Sequence, residues 1–71
     1  MYRNLLAEMA RKGYNRYDVA EAVGKTYNHV RTKLLGHTPF LYDEAVAIQE
    51  KLFPEHDIKY LFEEFEGKEE V

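Results

Sequence analysis

Between Gly24 and Gly36 the chain reads Lys-Thr-Tyr-Asn-His-Val-Arg-Thr-Lys-Leu-Leu, a segment short enough to be one helix. Its positions outside the apolar stripe hold a phenol (Tyr27), an amide (Asn28), an imidazole (His29), a guanidinium (Arg31), a hydroxyl (Thr32) and an ammonium (Lys33). Ordinary surface helices are filled with Glu, Lys and Gln. The chemistry concentrated here is directional hydrogen bonding, in which each group brings a different set of donors and acceptors.

Catalytic and metal chemistry have no comparable signal. The histidines, His29, His37 and His56, lack an i,i+3 or i,i+4 partner of ligand type. There are no cysteines, which excludes disulfides and thiolate metal sites. Glu63-Glu64 and Glu69-Glu70 are adjacent pairs that point apart on a helix end or tail. Seventy-one residues in short helices leave little room for a water-limited pocket. The expectation is therefore no enzymatic activity, no metal and no cofactor.

The elements that must position the 25–35 segment follow from punctuation and period. Asn4 to Lys12 carries a helical stripe of Leu5, Met9 and Ala10, with Gly13 as its stop. Asn15 offers an N-cap with Asp18 three residues on, an acidic variant of the capping box, and Val19, Ala20 and Val23 lead to Gly24. Thr26 can cap a third helix with Val30 and Leu34 buried and Gly36 as its stop. A fourth spans about Tyr42 to Leu52, with Asp43 and Glu44 in its first turn and Pro54 beyond its end. Asp57 can cap a last short helix in which Ile58, Leu61, Phe62 and Phe65 recur at helical spacing before Gly67.

Strand signals are nearly absent, so the fold class is all-α with five helices in one domain over residues 1–66, followed by an acidic tail at 67–71. Helices this short cannot stand alone in water. The shared core is expected at Leu5, Met9, Val19, Ala20, Val23, Val30, Leu34, Phe40, Ala45, Ile48, Leu52 and Leu61. The first eight residues reach Glu8 too early for a signal peptide, and no apolar run approaches membrane-spanning length, which points to a cytoplasmic protein that does not engage a membrane.

The net charge of -3 is unevenly spread. Residues 1–37 hold seven basic against three acidic side chains, a local +4, whereas residues 38–71 hold three against ten, a local -7. Such asymmetry between halves suggests a polyanion-facing surface on the first.

Ala20, Gly24 and Val30 each have a physical reason to be there. A small residue at 20 lets two helices cross closely, a glycine at 24 permits a tight left-handed turn, and Val30 plugs the angle between them. With the surrounding "YDVAEAVGKTYNHVRTKLLG" and the later Phe40-x-x-x-Glu44-Ala45-x-x-Ile48, the sequence resembles the Cro/repressor (XRE, lambda repressor-like) class of helix-turn-helix proteins, over about Asn4 to Phe65. The ending "IKYLFEEF" is similar to the last helix of short phage and prophage members.

The resemblance implies a five-helix DNA-binding domain whose third helix enters the major groove while the second crosses the backbone. It makes Tyr27, Asn28, Arg31 and Thr32 the base-contacting candidates. Asn pairs with adenine, Arg with guanine, and Thr or the Tyr edge meets a thymine methyl, at about 1–3 kcal/mol of discrimination for each bidentate pair. Arg16, Lys25, Thr26, Lys33, His37 and Thr38 are the phosphate-contacting candidates.

Two departures from the family pattern are Lys25, where a small apolar residue is usual, and Leu41, where a Ser or Thr cap is usual and about 1 kcal/mol of capping is lost. Tyr17 and Leu6 also stand at commonly polar sites. The implied function is sequence-specific transcriptional regulation, by occlusion of an operator in double-stranded DNA, as a weak or DNA-assisted homodimer without a small-molecule ligand. The competing expectation is a helix-turn-helix module used for protein binding, antitoxin- or anti-regulator-like, through Tyr60, Phe62 and Phe65, the same aromatics that could form a dimer contact.

Overall fold

A computed structural model of the chain describes residues 2–63, which form five helices: α1 (Arg3–Lys12), α2 (Arg16–Val23), α3 (Tyr27–Leu34), α4 (Tyr42–Leu52) and α5 (Ile58–Leu61). The described residues contain no strand, and the fold is all-α as expected. Phe65 and the acidic tail lie outside the described residues.

Local chemistry accounts for most of the boundaries. Asn15 Oδ1 accepts from the Asp18 N–H at 3.0 Å and Asp18 Oδ2 accepts from the Asn15 N–H at 2.8 Å, the complete capping box at the head of α2. Thr26 Oγ1 accepts from the His29 N–H at 3.2 Å and caps α3. Gly24 ends α2 at φ 71°, and the Lys25 N–H closes back on the Ala20 carbonyl at 3.1 Å. A Cβ at Gly24 would meet nothing within 4 Å, so glycine is required there by its left-handed backbone and not by crowding.

Two helix heads differ from expectation. Leu41 supplies no side-chain oxygen, yet Glu44 Oε1 accepts the Leu41 N–H at 2.9 Å, so the head of α4 is closed from its third residue. Asp57 sits at the N-cap position of α5, but its side chain makes no capping bond.

Helix α2 packs against both α3 and α4, while α1 and α4 pack against α5. The core they enclose contains Leu5, Met9, Val19, Ala20, Val30, Leu34, Ile48 and Leu61 as expected, and adds Tyr2 and Phe53. Phe53 is fully buried just beyond α4, with the Tyr14 ring edge-on to it at 5.6 Å. Val23, Phe40 and Leu52 are packed against this cluster but only partly buried. Long-range polar bonds finish the assembly: Lys51 Nζ donates to the Ala22 carbonyl at the end of α2 (3.1 Å), and Asn4 Nδ2 donates to the Tyr60 carbonyl (2.8 Å). No helix among the described residues is long and apolar enough to cross a membrane.

Candidate nucleic-acid interface

The α2–α3 pair presents the segment that the sequence singles out. Ala20 and Val30 are buried between the helices, which turns the opposite side of α3 outward. Asn28 and Arg31, three residues apart and therefore neighbours on one helical face, are both exposed. Neither side chain has a hydrogen-bond or ion-pair partner among the described residues. Thr32, one turn beyond Asn28, is half-buried, and its hydroxyl donates to the Asn28 carbonyl at 2.9 Å. Its proton is committed to the helix, so what it can offer outward is its methyl group and its oxygen lone pairs.

Tyr27, the first residue of α3, is held from two sides. The Tyr17 ring stacks on it at 4.3 Å with the planes 23° apart, and Arg16 Nη1 donates to its hydroxyl at 3.4 Å. Arg16 thus lies beside the base-contacting candidates at the head of α2. Thr26, His37 and Thr38 are exposed on the turns before and after α3.

The remaining two phosphate candidates converge on a carboxylate. Glu44 is 4% exposed, and its oxygens meet three cationic or ionisable side chains: Lys33 Nζ at 2.6 Å, His29 Nε2 at 2.9 Å and Lys25 Nζ at 3.2 Å. Burial works to raise the Glu44 carboxyl, but hydrogen bonds from Lys33, the Leu41 N–H, His29 and Lys25 outweigh it and hold its pKa at about 2. The structure therefore corrects the expectation for Lys33. Its side chain is 9% exposed and lies beneath α3, bound to Glu44 and 6.0 Å from the centre of the Phe40 ring, so it is not a rim cation open to phosphate. Lys25 remains 43% exposed and can reach outward while staying near Glu44.

Of the aromatics expected on a partner surface, Phe62 is partly buried against the core while Tyr60 stays exposed. The Phe62 ring is edge-on to Tyr2 at 5.7 Å and to Phe40 at 5.4 Å, closing the core. Tyr60 donates its hydroxyl to Glu8 Oε2 at 2.8 Å. That bond, against the opposing effect of burial and together with Arg11, holds the Glu8 carboxyl below the usual range. His56 Nε2 lies 3.1 Å from the other Glu8 oxygen. Tyr60 and Phe62 thus fasten α5 to α1. Sequence reasoning missed Glu44, Glu8 and Tyr17. The acidic first turn of α4 was the available signal for Glu44, and the unusual Tyr17 was visible but its contact was not.

Among the described residues no group of three His, Asp or Glu side chains has metal-holding geometry. The open clefts on the surface are shallow; one, of about 380 Å³, lies beside Tyr17 and Tyr27 and is floored by Leu6, Met9 and Ala10 of α1. Comparison with protein-family models, with curated proteins and with solved structures found no match. The α3 face combines two unpartnered hydrogen-bonding side chains with nearby cations, and Glu44 is the one carboxylate among the described residues that ion-pairs with α3.

Proposed function

We propose that the protein is a sequence-specific DNA-binding transcriptional regulator of the Cro/repressor helix-turn-helix type, acting in the cytoplasm without a cofactor and without catalysis. The observation that carries this reading is the exposed, unpartnered Asn28–Arg31 pair on the outward face of α3. Leaving such groups without internal partners is of use where a ligand supplies their hydrogen bonds, and the major groove does so: Asn to adenine N6/N7 and Arg to guanine O6/N7. Arg16, Lys25, Thr26, His37 and Thr38 surround that face and would fix the register on phosphates. Occlusion of promoter DNA by a weak or DNA-assisted homodimer is the mechanism that fits a domain of this size, with two copies of α3 spaced by one turn of the duplex, about 34 Å.

Ion pairs engage four of the seven basic side chains of the first half, Arg11, Lys12, Lys25 and Lys33, with Glu8, Glu55 and Glu44, whereas Arg16 and Arg31 have no ion pair among the described residues. Acidic charges farther than about 8 Å from phosphate are screened at physiological salt. The protein-binding alternative relied on Tyr60, Phe62 and Phe65. Phe62 packs against the core and Phe65 lies outside the described residues, so Tyr60, which is exposed while its hydroxyl is bonded to Glu8, is the one of the three that this alternative has at the surface.

The test is selection of duplexes from a random pool at moderate salt, followed by titration of the enriched duplex against a scrambled one. Arg31→Ala should relax preference at one position per half-site. Arg16→Gln should weaken all sequences alike and make the dependence of log K on log salt shallower by about 1 for each protomer bound. Absence of binding to any duplex at low salt would refute the proposal.

A further inference from the structure

The core closes without Tyr17, whose ring is 65% exposed, yet that ring lies flat against Tyr27. The first turn of α2 therefore delivers a second phenol to the head of α3. One face of the Tyr27 ring is covered by Tyr17, its hydroxyl oxygen accepts from Arg16 Nη1, and its backbone follows directly on the Thr26 cap. The two rings form an apolar plate whose geometry is set before any ligand arrives, next to the freely hydrogen-bonding Asn28 and Arg31.

A plate of this kind has one complement among base-pair edges. Adenine, guanine and cytosine present hydrogen-bonding groups in the major groove, which the face of an aromatic ring would desolvate without satisfying. Thymine alone presents a methyl group. We propose that the Tyr17–Tyr27 plate seats on a thymine 5-methyl, with Tyr27 as the contact and Tyr17 as its positioning residue, so that the operator carries an obligatory thymine beside the bases read by Asn28 and Arg31. This rests on the DNA-binding reading above and adds to the thymine contact expected of Tyr27 a residue that positions it, Tyr17.

The test uses the full chain and the duplex enriched from the random pool, resynthesised with deoxyuridine replacing each thymidine in turn, which removes the methyl and nothing else. Wild-type protein should lose about fourfold in affinity at one thymine per half-site, the value of one buried methyl-sized group. Tyr17→Ala and Tyr27→Ala, checked for helix content by circular dichroism, should bind the thymine and uracil duplexes equally. Tyr17→Phe should keep the fourfold ratio, because the stack needs the ring and not the hydroxyl. A loss of stability alone would lower both affinities and leave the ratio intact. The proposal is overturned if wild type binds every uracil duplex as well as the parent, or if Tyr17→Ala retains the ratio. Failure to bind any duplex overturns the DNA-binding reading with it, and the two failures are distinguished by whether the unmodified duplex is bound.

Discussion

Replacing Glu44 by Ala tests the junction that holds α3 against α4. The substitution removes the carboxylate 2.6 Å from Lys33 Nζ and leaves that ammonium nearly buried without a counter-ion. Breaking a buried pair from one side costs about 3–5 kcal/mol. The lost closure of the Leu41 N–H, 2.9 Å from Glu44 Oε1, contributes about 1 kcal/mol. The bonds to Lys25 and His29, which are 43% and 35% exposed, add little. A total of about 4–6 kcal/mol compares with a global stability of about 4–10 kcal/mol for a chain of this length. Glu44→Ala should thus unfold a substantial fraction of the protein at 25 °C, or lower Tm by about 15–45 °C.

The assay is urea denaturation followed by far-ultraviolet circular dichroism at pH 7 on wild type, Glu44→Ala, Lys33→Met and the double variant. Lys33→Met also removes the orphaned charge, so the double variant should be more stable than Glu44→Ala alone, with a coupling energy above about 1.5 kcal/mol. Strict additivity, within about 0.5 kcal/mol, would refute the buried-pair account. It would mean that the flexible Lys33 stem carries its ammonium out to water whether or not Glu44 is present.

The same carboxylate sets an acid response. Its pKa of about 2 in the fold lies below the ordinary 4.5, so the unfolded chain binds the extra proton first and the stabilisation is full above pH 4.5 and lost as pH falls toward 2. The difference corresponds to about 3 kcal/mol at most, and to about 1–2 kcal/mol once screening at the exposed Lys25 and His29 is counted. The stability gap between wild type and Glu44→Gln should therefore close between pH 5 and pH 2 in parallel denaturations. Gly24→Ala forces a Cβ into the left-handed region and should cost about 1–2 kcal/mol by denaturation, without the larger penalty of a clash. Phe53→Ala should cost about 3–5 kcal/mol, close to the limit of what the domain can lose, read as a fall in the urea midpoint.

The sequence alone determined the local framework of this protein. The Asn15–Asp18 capping box, the Thr26 cap, the Gly24 and Gly36 turns and the full span of α4 were legible because each depends on residues within about five positions of one another. The burial of Val19, Ala20, Val30, Leu34 and Ile48 followed from the same short-range periodicity. The tertiary structure decided which polar groups stay available. Lys33 and Arg31 look equivalent along the chain, yet Lys33 falls on the side of α3 that meets Glu44, eleven residues away, while Arg31 faces outward. Tyr60 and Phe62 read as surplus aromatics until α5 is laid along α1, where Glu8 and Tyr2 receive them, and Phe53 lay off any helical stripe because it belongs to none. The physical reason is common to these cases. Caps and periods are decided by bonds within a single turn, but ion pairs, stacked rings and buried end residues depend on which helix faces meet, a choice made by the packing of the whole core.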